Sequence, residues 1–186
     1  MATVEPLRAR LASGNTHKLE ELRAALPAWG LELLGQGPFP DEDGETYYEN
    51  ALGKARFGRE VGDAELWMLG EDSGIEVEAL GGAPGIESAR WAEDGVTALL
   101  VRLDGVGDRQ ARYVCELVAL GPAGEELRGT GILDGTITTE RRGEEGFGYD
   151  PIFVPLGEER TVAELGNEWK RTNSHRARAA RALSAK

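Results

Sequence analysis

The chain has 186 residues, 40% of them hydrophobic and 29% charged, with a formal net charge of −12 and a single cysteine, Cys115. This balance suits a folded globular protein rather than a disordered tail, argues against general nucleic-acid binding, and leaves no internal disulfide or cysteine metal cluster. Met1 to Pro6 lack the basic start and apolar run of a signal peptide, and the longest apolar run, Val96 to Val101, is too short to cross a bilayer, so a cytoplasmic protein without membrane contact is expected.

Leu7, Ala9 and Leu11 alternate with Arg8 and Arg10, which predicts a strand. It runs into Ser13-Gly14-Asn15-Thr16-His17-Lys18, after which Leu19, Leu22 and Leu26 recur at helical spacing up to Pro27. A glycine turn opening onto a helix offers free N–H groups and the positive end of a dipole, and Lys18 adds a charge, so this is a candidate phosphate cradle. It is not a Walker loop, because the second glycine and the Gly-Lys-Ser/Thr ending are missing. A plain strand-to-helix turn is an equal reading. Leu31 to Leu34 predicts a second strand, and Gly35 to Glu45 a loop rich in glycine, proline and acid. Asp41, Glu42 and Asp43 in that loop could offer a metal ligand or be simply solvated. Thr46 is placed to cap a helix carrying Tyr48, Ala51, Leu52 and Ala55, with Glu49 where a capping box needs it.

Leu66 to Leu69 predicts a short strand that ends in a turn, Gly70-Glu71-Asp72-Ser73-Gly74, before Ile75, Val77 and Ala79 alternate in another strand. Two neighbouring carboxylates at a strand end are costly without a cation, and Mg²⁺ takes one or two carboxylates together with phosphate oxygens and water. The alternative is a merely acidic turn. Asp94 is placed to cap a helix through Leu103, and Ala111 to Ala119 predicts a long strand with Leu127 to Ile137 as its hairpin partner. Cys115 falls in that alternating stretch, as a buried structural thiol would. Gly146-Phe147-Gly148-Tyr149-Asp150-Pro151 frees the backbone on both sides of an aromatic ring, which suits a stacked nucleobase or, equally, a glycine–proline turn around a core aromatic.

Val162, Leu165 and Trp169 share a helical face, and Ser174 is placed to cap a last helix containing Ala177, Ala180 and Leu183. Residues 170–186 carry six Lys/Arg and no acid. Lys170 with Ser174-His175-Arg176 at a helix start would hold an anion. The alternative is a solvated face whose cations favour a helix end. His17 and His175 are the only histidines, too few for a good histidine zinc site. Strands and helices mix without a strict βαβ repeat, which predicts an α/β fold with a mixed sheet. No repeat or linker marks a boundary, so residues 1–186 are expected to form one domain.

Taken in order, Ser13-Gly14-Asn15 with Lys18, Glu49-Asn50-Ala51 with Lys54-Ala55, Asp72-Ser73-Gly74, Gly82-Ala83-Pro84-Gly85 with Ser88-Ala89-Arg90, Gly146 to Pro151 and Ser174-His175-Arg176 resemble the inosine triphosphate pyrophosphatase family. The resemblance covers nearly the whole chain. It implies an elongated mixed β-sheet flanked by helices, with two lobes and a central nucleotide-binding cleft, assembled as a homodimer. It implies Mg²⁺-dependent hydrolysis of ITP, dITP and XTP to the monophosphate and pyrophosphate. By position, Asp72 resembles the catalytic base and a metal contact, and Asp41 the second acidic metal ligand, with Glu42 the alternative. Ser13, Gly14, Asn15, Thr16, His17, Lys18 and Lys170 resemble phosphate-binding residues. Ser73 and Arg90 would face the nucleotide, and Phe147, Gly148, Tyr149, Asp150, His175 and Arg176 resemble the base-recognition wall. Glu71, Trp169 and Arg171 depart from the residues common in the family. A related pyrophosphatase of the septum-inhibition (Maf) type and a non-catalytic nucleotide sensor are the rival readings. Gly146–Pro151 and Ser174–Arg176 argue against the first, and Asp72 against the second.

Overall fold

The computed structural model describes residues 6–35 and 37–185. The signal-peptide reading of Met1 to Glu5 and the place of Gln36 in the acidic loop lie outside the described residues. Six strands, β1 (Leu7–Leu11), β2 (Trp29–Leu33), β3 (Trp67–Val77), β4 (Gln110–Leu120), β5 (Glu126–Ile137) and β6 (Phe153–Pro155), form one mixed sheet in the order β2-β1-β3-β4-β5-β6. β1 is parallel to β2 and β3, and the rest of the sheet is antiparallel. Five helices flank it: α1 (Thr16–Ala25), α2 (Tyr47–Val61), α3 (Gly95–Arg102), α4 (Val162–Asn173) and α5 (His175–Ser184). The mixed α/β architecture agrees with the sequence pattern.

The helix starts follow from side-chain chemistry. Asn15 Oδ1 accepts from the Lys18 amide at 3.1 Å to open α1. Thr46 and Glu49 form the expected capping box on α2, and Thr161 and Glu164 form a second one on α4. Asp94 caps α3, and Ser174 caps α5 while closing α4. Gly166 interrupts α4 with a φ of 86°, and the amide that restarts the helix, that of Asn167, donates to the Glu145 carboxylate at 2.9 Å.

The main departure from the expected elements lies between Leu66 and Ala79. The chain does not turn at Gly70–Gly74. β3 runs unbroken through it, paired with β4 from Met68↔Leu120 to Val77↔Ala111. The glycines there serve close approach rather than bending. A Cβ on Gly70 would overlap the Ala51 carbonyl oxygen of α2, and one on Gly74 would overlap the Gly85 carbonyl oxygen. Ala79 belongs to a short 3₁₀ turn, Glu78–Leu80, and β6 is an addition that the sequence pattern does not signal.

A small hydrophobic cluster packs Ala51, Leu52 and Ala55 of α2 on Val118, and two large ones lie along the sheet. One gathers Leu11, Leu22, Leu31, Leu69, Leu117 and Leu183 beneath α1 and α5. The other gathers Ile75, Leu99, Leu103, Tyr113, Ile152 and Phe153. Each fully buried side chain of this size contributes roughly 1.5–3 kcal/mol of transfer free energy. β3 and β4 pass through both large clusters, and residues 71–73 lie between them, beyond the last β1 pair, Leu11↔Leu69. α5 lies directly on the backbone of β5, because a Cβ on Gly131 would overlap the His175 carbonyl oxygen. Gly131→Ala is therefore expected to lift the start of α5 and lower stability by about 1–3 kcal/mol, measured by urea unfolding. An unchanged midpoint would show that α5 does not need this contact distance.

Candidate active site

The uninterrupted strand sends Glu71 and Asp72 to opposite faces of the sheet, since side chains alternate along a strand. They are neighbours in sequence but do not face one another, so the mutual repulsion expected of an acidic turn is reduced to the smallest of the influences on Asp72. Each has its own cations. Glu71 is buried beneath α1 and α5, with Lys18 Nζ at 2.6 Å from Oε2 and Arg176 Nε at 2.9 Å from Oε1. Burial works to raise its proton affinity, but Lys18, Arg176 and Lys54 outweigh this and hold the carboxyl well below the usual range. The expected buried thiol of Cys115 lies against the same carboxylate and is pushed up by burial.

Asp72 faces α2. Asn50 Nδ2 donates to Oδ2 at 3.0 Å, and Lys54 Nζ lies 3.4 Å from Oδ1. Lys54 also donates to the Glu71 carbonyl at 3.0 Å and pairs with Glu42 of the acidic loop. Burial raises the proton affinity of Asp72, and Glu42 and Glu71 add to it, against the pull of Lys54 and Asn50. Glu42 is held in turn by Arg90, whose Nη1 donates to Oε2 at 2.8 Å and whose Nη2 donates to the Glu42 carbonyl at 2.9 Å. Asp41, one position away, is exposed, and Glu42 is the acid of that loop that reaches the Asp72 cluster.

On the Glu71 side the charges continue as an alternating chain. Lys170 Nζ lies 2.9 Å from Glu21 Oε1 and 2.8 Å from Asp150 Oδ2, and Ser174 Oγ donates to Glu21 Oε2 at 3.0 Å. Lys170 and Arg176 are buried and paired, so the reading of the C-terminal basic segment as a solvated face holds only for the exposed Arg171, Arg178 and Arg181. Lys170 also sits in the last turns of α4, not at the start of α5. Asp150 receives the Tyr113 hydroxyl at 3.2 Å and the Phe147 amide at 2.9 Å.

Asn15, Lys18, Ser73, Phe147, Gly148, Tyr149, Asp150, His175 and Arg176 line one cavity of about 240 Å³. Nine residues proposed from sequence thus converge at one place. His17 and Lys170 instead line an adjoining cavity of about 390 Å³ with Glu21, and Phe147 borders both. Around the Phe147 ring, His17 stacks at 5.4 Å while the Lys170 ammonium and Arg176 guanidinium lie 4.4 and 5.0 Å from its centre. His175 stacks on Tyr113 at 4.5 Å, and burial, reinforced by Arg176, pushes it well below its ordinary value, so it is neutral at neutral pH. Ser13 Oγ accepts the Asn15 amide at 3.1 Å, so Ser13 and Asn15 shape the turn that Gly14 and Thr16 complete. Trp169 packs against the second cluster and donates to Glu158, while Arg171 is exposed and pairs with Glu168.

The sequence reading does not place Asn50, Lys54, Glu21 or Tyr113 in the site. Three of these carry a signal. Asn50 and Lys54 are spaced i, i+4 on one face of α2, and Glu21 follows Lys18 by three positions on α1, where side chains meet.

A model of the Ham1 family matches residues 9–186. The chain is 46% identical over 181 residues to a dITP/XTP pyrophosphatase of Symbiobacterium thermophilum, covering 92% of this chain and 90% of that one. It is 44% identical to a dITP/XTP pyrophosphatase of Leifsonia xyli subsp. xyli, covering 95% and 94%. The Ham1 protein of Staphylococcus aureus superposes with a TM-score of 0.82 at 34% identity, over 96% of each chain.

The Glu71 pairing sets an acid limit on stability. Its folded proton affinity lies below the ordinary value of 4.5, so its contribution is present above about pH 4.5 and is lost as pH falls below it. Glu71→Gln leaves Lys18 and Arg176 without their buried counter-charge and is expected to cost about 3–5 kcal/mol at pH 7. Its unfolding midpoint should also vary less with pH below 4.5 than that of the wild type. Equal stability at pH 7 in urea titrations would refute the pairing's importance.

Proposed function

The chain belongs to the Ham1 family, and on that footing we propose that it hydrolyses the deaminated purine nucleotides ITP, dITP and XTP to the monophosphate and pyrophosphate. The observation that carries the reaction is Asp72, a buried carboxylate with raised proton affinity whose two oxygens are oriented by Asn50 and Lys54. Asp72 takes the proton of a water attacking the α-phosphorus, a task suited to a carboxylate whose basicity is raised by burial. Lys18, at the capped start of α1, draws on the helix N-terminus to hold phosphate oxygens. Ser13, Gly14, Asn15, Thr16 and His17 form the turn around it. Lys170 and Arg90 add positive charge, and Ser73 a hydroxyl.

Glu42 and Asp72 converge on one ammonium, that of Lys54, which supports a place for a cation between them. Among the described residues there is no group of three or more His, Cys, Asp or Glu that could hold a metal; the pair Glu42 and Asp72 would suit Mg²⁺, which uses one or two carboxylates and completes its shell with phosphate and water. Glu42, rather than the exposed Asp41, is the proposed partner of Asp72. The Mg²⁺, when bound, would neutralise charge on the departing pyrophosphate.

The purine is assigned to the Phe147–Asp150 wall. Arg176 is an obligate donor that favours a 6-oxo group over a 6-amino group, whereas the neutral His175 can donate or accept according to tautomer. A homodimer in the cytoplasm belongs to the same proposal. It rests on the family likeness alone; among the described residues no helix is long and apolar enough to cross a membrane.

Pyrophosphate release from ITP and ATP with Mg²⁺ tests this reading. The kcat/KM for ITP should exceed that for ATP by about 10²-fold or more. Asp72→Asn should lower kcat by about 10²–10⁴ while thermal melting stays equal or rises slightly. Comparable rates for ITP and ATP would sink the substrate assignment. A variant retaining more than about a tenth of wild-type kcat would remove Asp72 from the role of base.

A further inference from the structure

Every carboxylate oxygen of the Glu42–Asp72 pair is already engaged. Lys54 Nζ contacts one oxygen of each acid, Arg90 holds the other oxygen of Glu42, and Asn50 holds the other oxygen of Asp72. Lys54 is itself buried, paired with both acids and donating to the Glu71 carbonyl at 3.0 Å. A buried ammonium between two acids does two things. It keeps like charges together in the free protein, and it opposes any second cation entering the same place.

We propose that Lys54 is a built-in counter-cation that excludes the divalent metal from Glu42 and Asp72 until a nucleotide is present. This rests on the metal assignment made above. Moving Lys54 aside without an anion to receive it would strand a buried charge, which is costly. A triphosphate provides that anion and also the oxygens that two carboxylates cannot supply to Mg²⁺. Metal and nucleotide therefore bind together rather than in either order, and Lys54 changes partner from carboxylate to phosphate as they do. Arg90, clamped on Glu42 from the solvent side, is placed to make the same exchange.

The test is calorimetric titration of Mg²⁺ into the full chain without nucleotide, beside Lys54→Gln and Lys54→Arg, with folding checked by thermal melting. The wild type and Lys54→Arg should show no saturable binding below the millimolar range. Lys54→Gln should bind Mg²⁺ about tenfold more tightly or better, because the competing charge is gone. Submillimolar binding by the wild type overturns the proposal whether or not the variants fold. So does a folded Lys54→Gln with wild-type affinity. Hydrolysis of ITP by the wild type is measured on the same preparation. Activity with unchanged metal affinity in Lys54→Gln defeats this inference alone, whereas absent hydrolysis defeats the proposed function.

Discussion

The site depends on the two-residue period of one strand. Because β3 continues without a break from Trp67 to Val77, Glu71 and Asp72 are assigned to different faces and different tasks. Glu71 anchors α1 and α5 through Lys18 and Arg176, so it fixes where the starts of those two helices stand relative to each other. Asp72 meets α2 and the acidic loop, where its partners control its basicity. A one-residue slip of β3 would exchange these environments and place each acid among the wrong cations.

Burying this much charge is tolerable only because the charges alternate. Isolated, each ion would cost several kcal/mol to remove from water. Here Lys18, Arg176 and Lys170 interleave with Glu71, Glu21 and Asp150, and hydroxyls of Ser174 and Tyr113 fill remaining acceptor positions. Such a network gives little net stability over an apolar core. What it gives is a rigid array of donors in place before substrate arrives, the form of electrostatic preorganisation that favours charge development at a reacting phosphate.

Most elements were legible in the sequence because the signals were local. The α2 capping box, the Asn15 turn and the β4–β5 hairpin each follow from spacing within a few residues. The error at Gly70–Gly74 has a definite cause. Glycine reports either a bend or a close approach, and only the position of Ala51 and Gly85, far away in sequence, decides which. The same limit explains the site. Asp72, Phe147 and Arg176 belong to recognisable segments, whereas Glu42 was distinguished from Asp41 only by reaching Lys54, and Tyr113 entered through packing on His175. The buried state of Lys170 and Arg176 was hidden for a similar reason, since their counter-charges come from α1, β3 and the Asp150 turn.

The interruption of α4 at Gly166 reaches further than a kink. Asn167–Asn173 makes only about two turns, too little to persist as a free helix. Its first amide is tied to Glu145 in the Phe147 loop, and its Lys170 is tied to Asp150 at the end of that loop. Loop and half-helix are therefore tied at two points, and if a base docks against Phe147 as proposed, it would draw down any open population of both. On that proposal, recognition of the base and local ordering of the chain would be the same free-energy event.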